Sequence, residues 1–194
     1  MSTRRELLKQ SLTLVSTVVA VPIFPLIAWG EVCPTPSSTA GPYYKKGAPF
    51  RTMLRETNDQ GIPLIVSGRI TDAGGKSLKN ATIEIWHTNP EGHYDLDGFL
   101  YRASIHANSD GQYSFETFLP GAYGGRAQHI HYKITAPSNQ TLITQLYFES
   151  DPMFQGNPES NYHKDPIITD ASLIRRVQGD NKSGLRVDFP ICLR

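Results

Sequence analysis

Residues 81–86 read Ala81-Thr82-Ile83-Glu84-Ile85-Trp86, and their pattern sets the fold class. Apolar and polar side chains alternate there with period two, which sends Ala81, Ile83 and Ile85 to one face and Thr82, Glu84 and Trp86 to the other. A helix would scatter those side chains around its axis, whereas a half-buried strand separates them. Upstream, Ile65-Val66-Ser67-Gly68-Arg69-Ile70-Thr71 reads as a second strand, ended by the turn Asp72-Ala73-Gly74-Gly75. Downstream, residues 112–118, 130–135, 142–148 and 185–193 follow the same style. No segment sustains a helical period, and only Asp170 to Val177 suggests a short helix. Several strands at short spacing predict an all-β chain folded as a single β-sandwich. Residues 31–61 and 150–184 lack periodicity and read as long ordered loops wrapping it.

Composition narrows the function classes. The chain has 194 residues, 19 Lys+Arg against 18 Asp+Glu, and 39% hydrophobic residues. A net charge of +1 without a basic run offers nucleic acid no electrostatic footprint. The first thirty residues read as an address. A charged start with Arg4-Arg5 and Lys9 leads into an uncharged stretch from Ser11 to Trp29, with a small-residue exit at Ala28-Trp29-Gly30. That layout resembles a twin-arginine-type export signal and is read as one over residues 1–30, leaving 31–194 as an expected exported, periplasmic or extracellular domain. Pro22 and Pro25 count against the alternative, a stable membrane-spanning anchor. Cys33 and Cys192 lie near the two ends of that domain. They are either a bridge that clasps the termini or two unrelated thiols.

Nine Tyr and six His carry the chemistry. In Pro120-Gly121-Ala122-Tyr123-Gly124-Gly125-Arg126-Ala127-Gln128-His129-Ile130-His131, the two histidines stand one pleat apart on a strand and project to the same face. Such a pair is a ready metal chelate, since imidazole suits Fe, Cu, Zn and Ni. It is equally the pattern of two hydrogen-bonded strand histidines. A second segment, Trp86-His87-Thr88-Asn89-Pro90-Glu91-Gly92-His93-Tyr94, ends a strand in a turn from which Tyr94 emerges. Alone, Tyr94 reads as a loop aromatic packed on the sandwich edge.

Taken in order, these segments resemble the intradiol ring-cleavage dioxygenases, such as the protocatechuate and catechol dioxygenases. The resemblance runs from Gly41-Pro42-Tyr43-Tyr44 to about Phe189. Its marks are Gly68 to Asp72, Asn80 to Trp86, Gly92-His93-Tyr94, Asp110 to Phe115, Pro120 to Tyr123, Gly125-Arg126, His129-Ile130-His131 and Leu142 to Phe148. It implies a mononuclear, non-haem Fe(III) site with Tyr94, Tyr123, His129 and His131 as ligands. It implies a small aromatic diol and dioxygen as substrates and a muconate-type diacid as product. Tyr123 would be the ligand that leaves as the diol binds, Arg126 would stabilise negative charge developing on the ring, and Gln145 would be its polar partner. Tyr43 and Tyr44 resemble the substrate-side entry segment, with Tyr44 the candidate contact.

The ligand types agree with ferric iron. A free phenol has a pKa near ~10, so a tyrosine ligand must exchange its proton for the metal. Hard anionic oxygen favours the ferric state, whereas a two-His, one-carboxylate site would hold Fe(II). The departures are a short link, Gly124-Gly125, between Tyr123 and Arg126, and the lack of a long helical N-terminal region. Both features look like a smaller exported branch of the family. Two other readings compete. The segment from Gly68 to Trp86 also resembles transthyretin-like and carboxypeptidase-regulatory modules, which bind without catalysis and would not need the Tyr/His set. A copper or zinc binder would use the histidines and leave both tyrosines and Arg126 unexplained. His93 and His106 match no role and read as surface or edge residues.

Overall fold

The computed structural model describes residues 33–56 and 60–194, so the expected export signal at 1–30 lies outside the described residues. Ten strands form two five-stranded sheets. In the first, β1 (Pro63–Asp72) is flanked on one side by antiparallel β4 (Gln112–Phe118). On its other side run β9 (Gly184–Asp188) and β10 (Ile191–Leu193), both parallel to β1, with β8 (Gln178–Asp180) at the edge. The second sheet has the order β3-β2-β5-β6-β7, built from β2 (Thr82–Trp86), β3 (Arg102–His106), β5 (His129–Thr135), β6 (Thr141–Phe148) and the two-residue β7 (Ile174–Arg175). The all-β sandwich is therefore as the strand pattern predicts.

Three details depart from it. The expected strand at 185–193 is broken at Phe189-Pro190, because proline has no N–H to give the ladder. Its two halves keep one register along β1, Leu64 opposite Leu185 and Ile70 opposite Ile191, and Phe189 N–H still donates to the Ser67 carbonyl at 2.7 Å. The expected helix at Asp170 to Val177 is one 3-10 turn, Ala171–Leu173, capped by the Asp170 carboxylate on Ser172 N and running straight into β7. The stretch 150–184 is not all loop: it contains β7, β8 and one turn of α-helix, Pro158–Asn161.

The core lies between the sheets. Ala81, Ile83 and Ile85 of the deciding segment are buried there with Val66, Phe115, Ile130, Ile134, Leu146 and Val187. Each of the Val, Leu, Ile and Phe side chains among them contributes about 1.5–3 kcal/mol by leaving water. The other face of the second sheet should be wet, yet Trp86, His129, His131, Gln145 and Tyr147 are all buried on it. The cover is the chain from Cys33 onward. Ser38 N–H bonds the Ile143 carbonyl at 2.8 Å, Gln145 Nε2 donates to the Thr39 carbonyl at 2.8 Å, and Phe50 bridges to Ser104. Cys33 and Cys192 form a disulfide that ties the start of this cover to β10. Among the described residues no helix is long and apolar enough to cross a membrane.

Candidate active site

Strand pairing puts Trp86, His131 and Gln145 in one row across β2, β5 and β6, and pairs His129 with Tyr147. Ile130, between the histidines, points into the core, so the pair does project together onto the covered face. Their ring centroids are 4.8 Å apart, and His131 stacks flat on Trp86 at 4.9 Å. His129 Nδ1 lies 2.7 Å from the Ala127 carbonyl. A carbonyl only accepts, so Nδ1 carries the proton and Nε2 keeps its lone pair. That lone pair faces the Tyr94 hydroxyl at 3.5 Å. Burial lowers the His129 pKa to about 4 and the His131 pKa well below the ordinary value, so both rings are neutral bases at neutral pH. The Thr39 carbonyl faces His131 and favours its charged form, yet closes no hydrogen bond of ordinary geometry on the buried Nδ1.

Both tyrosines reach this face from turns, each two residues after a glycine. Gly92 has φ +86°, and Gly92 and Gly121 N–H both donate to the Asn89 carbonyl, at 3.0 and 2.9 Å. The two turns touch backbone to backbone, with room for no side chain between them. Tyr94 and Tyr123 consequently stand with ring centroids 5.6 Å apart, Tyr94 largely buried and Tyr123 37% exposed. The Gly124-Gly125 link after Tyr123 has positive φ at both residues. Burial pushes the Tyr94 phenol above the ordinary range, while the cations of Arg126 and Arg102 pull it back.

Arg126, whose backbone N–H donates to the Tyr123 carbonyl at 2.9 Å, is held by every side-chain donor group but one. Its Nε bonds both oxygens of Asp165 at 2.8 and 2.9 Å, and its Nη2 bonds Gln145 Oε1 at 2.9 Å and the Tyr147 hydroxyl at 2.6 Å. Nη1 has no hydrogen-bond partner among the described residues. Gln145 thus meets Arg126 and also bonds the cover through Thr39.

Tyr44 lies elsewhere. Its hydroxyl donates to Glu84 at 2.9 Å and accepts from Lys133 at 2.9 Å, one row of side chains beyond Trp86 and His131. The residue that enters the cluster is its neighbour Tyr43, stacked on Tyr94 at 4.2 Å and hydrogen-bonded to the Tyr123 hydroxyl. That bond raises the Tyr43 pKa. His93 and His106 are exposed, His106 on the edge strand β3. Sequence reasoning misses Tyr147, Asp165 and Arg102. Tyr147 had a signal, since it shares a face with Gln145 two residues away. Asp165 sits in an aperiodic stretch that offers none. Arg102, buried on β3, donates to the Tyr43 carbonyl at 2.7 Å and the Asp95 carbonyl at 3.0 Å, and so joins the two tyrosine-bearing segments.

The donor set fits a hard, high-valent metal ion. Among the described residues no three His, Cys, Asp or Glu side chains are grouped to hold a metal. A metal held at this face would take the tyrosines as ligands beside the two histidines, a set unlike the histidine-and-carboxylate set of an ordinary zinc site. A phenol whose pKa burial has raised gives up its proton only to a strong cation. Two neutral imidazoles with an oriented lone pair and two phenols on one face are such a set.

A family model described as "Dioxygenase" matches residues 39–194. The chain is 36% identical over 147 residues to a catechol 1,2-dioxygenase of Acinetobacter baylyi, covering 61% of this chain and 47% of that enzyme. It is 33% identical over 144 residues to catechol 1,2-dioxygenase 2 of Acinetobacter lwoffii, covering 61% of this chain and 52% of that enzyme. The chain thus spans about half the length of these curated relatives. Its fold superposes with a TM-score of 0.71 on the dioxygenase domain of a dioxygenase–carbohydrate-binding protein fusion from Streptomyces sp. SirexAA-E, at 34% identity, covering 82% of this chain and 97% of that one.

Proposed function

Since this chain belongs to the intradiol ring-cleavage dioxygenase family, we propose that it opens the ring of a catechol-type diol between its two hydroxyls. Both atoms of dioxygen end in the two carboxyl groups of a cis,cis-muconate-type diacid. The observation that carries this reading is the convergence of Tyr94, Tyr123, His129 and His131 on one covered face beside Arg126. These four residues would hold a mononuclear ferric ion, which supplies a Lewis-acidic anchor for both diol oxygens and makes the bound ring electron-rich toward dioxygen.

The chain's own groups do the remaining work. His129 presents Nε2 because the Ala127 carbonyl fixes its other nitrogen. Tyr94 is packed against the Tyr43 ring and faces His129 Nε2, which makes it the tyrosine placed to stay. Tyr123, exposed on its glycine link, is the ligand placed to turn aside; freed from the metal as a phenolate it would take a proton from the incoming diol, with the Tyr43 hydroxyl as its hydrogen-bond partner. Arg126 Nη1 is the spare donor for negative charge developing on the ring, an electrostatic role that counts for most where water is excluded. The cover from Cys33 to Phe50 does the excluding.

We also place the protein outside the cytoplasm, as an exported enzyme. The Arg4-Arg5 leader supports this, and so does a disulfide of the kind that persists in oxidising compartments.

The test is oxygen uptake by residues 31–194 loaded with ferric iron, against catechol and its carboxylated, chlorinated and hydroxylated forms. The reading expects one dioxygen consumed per diacid formed with at least one of them. A folded, iron-loaded protein that consumes no oxygen with any of them contradicts it.

A further inference from the structure

We propose that Asp165 is a positioning residue for this site, one buried carboxylate that sets both Arg126 and His129. The inference rests on the ring-cleavage reading and adds to it a residue from the loop that otherwise only wraps the sandwich. Asp165 has no exposed surface. Its two oxygens accept from Arg126 Nε at 2.8 and 2.9 Å, from Ala127 N at 3.1 Å and from Ile167 N at 3.0 Å. A buried carboxylate is tolerated only when paired and hydrogen-bonded, and here the sole paired cation among the described residues is Arg126.

Two consequences follow from that geometry. Because Nε is fixed, the guanidinium plane is fixed, Nη2 falls on Gln145 and Tyr147, and Nη1 is left as the only spare edge. Because Ala127 N is fixed, so is the peptide chain whose carbonyl holds the His129 ring at 2.7 Å. A second buried carboxylate, Asp151, grips the next N–H, that of Gln128, at 2.6 Å. The Arg126–Gln128 segment is therefore clamped by two acids from the same wrapping loop. Matched by Asp165, Arg126 acts as an aimed hydrogen-bond donor and not as a free cation that would anchor any passing anion.

A double-mutant cycle on the iron-loaded protein tests this. Asp165→Asn keeps the side chain's shape and removes its charge. We expect kcat for catechol to fall about tenfold while KM changes less than about threefold. In an Arg126→Gln background the same substitution should cost less than about twofold, because the guanidinium it aims is gone and the asparagine oxygen still accepts from Ala127 N. Losses that multiply across the two backgrounds overturn the proposal. If Asp165→Asn does not fold, wild-type iron-free protein serves. The Arg126 Nε–H resonance, assigned by its loss in Arg126→Gln, should exchange with water at least ~100-fold more slowly than surface arginines. Exchange at the surface rate overturns the proposal. A wild-type enzyme that cleaves no diol instead defeats the functional reading, and the exchange measurement still reports on Asp165.

Discussion

Replacing Gly121 by alanine strikes a point where the two tyrosine turns touch backbone to backbone. A Cβ built on Gly121 would lie 2.3 Å from Gly92 N and 2.4 Å from the Pro90 carbonyl oxygen. Non-bonded carbon contacts settle near ~3.5 Å, so the two turns must part by about 1 Å. Separation strains packed neighbours, about 1–3 kcal/mol, and weakens the 2.9 Å bond from Gly121 N to the Asn89 carbonyl, about 1 kcal/mol more. For a chain of this size, a loss of about 2–4 kcal/mol lowers Tm by roughly 5–15 °C. Tyr123 and Tyr94 lie two residues beyond these glycines, so the same shift pulls the phenols apart and weakens ferric binding. Gly124→Ala is the comparison: it has positive φ but nothing within 4 Å of the new Cβ, and should cost only the left-handed backbone penalty, about 1–2 kcal/mol. Thermal unfolding and ferric titration of both variants decide the matter. A Gly121→Ala protein as stable as wild type, with undiminished ferric affinity, refutes the reasoning.

Two further predictions concern parts of the fold that support the site. His87 is fully buried, donating from Nδ1 to the Thr88 carbonyl and accepting at Nε2 from Thr117, and burial lowers its pKa to about 4. The unfolded chain takes a proton near pH 6.5 that the folded chain refuses until about pH 4, so stability is full above 6.5 and declines as pH falls toward 4. The decline is worth on the order of 3 kcal/mol at most and should shrink in His87→Gln; urea midpoints from pH 7.5 to 4.5 with the same slope in both proteins would refute it. The Cys33–Cys192 bond closes a loop with a sequence separation of 159, for which chain entropy gives up to about 5 kcal/mol. Reduction should therefore lower Tm by roughly 10 °C or more. It should also loosen the cover on the Gln145 face first, read as faster exchange of Ser38 N–H; an unchanged Tm contradicts this.

Much of the site was legible because strands write their faces into sequence. Alternation at 81–86 and at His129-Ile130-His131 told which side chains share a surface, and β5 and β2 keep that pattern. The covering of that surface was not legible, since Trp86 and the two histidines are buried by a segment with no periodicity of its own. Edge strand β3 escaped notice for a related reason: Arg102-Ala103-Ser104-Ile105-His106 has little β-branched character, and its place is set by pairing with β2. Asp165 and Arg102 act through contacts 39 and 59 residues away in sequence, the first with Arg126 and the second with Tyr43, and such distances leave no local trace. Tyr43 against Tyr44 is a matter of one residue, and only the Glu84–Lys133 pair explains why the second tyrosine turns away.

The central claim is that two tyrosines and two histidines of this chain bind ferric iron that then receives a catechol. A visible absorption spectrum of residues 31–194 during ferric titration, followed by catechol under nitrogen, tests it most directly. A red-brown tyrosinate-to-iron band should develop at one iron per chain, be lost or strongly changed in Tyr94→Phe and Tyr123→Phe, and shift when catechol is added. A folded protein that stays colourless at saturating ferric iron would contradict it.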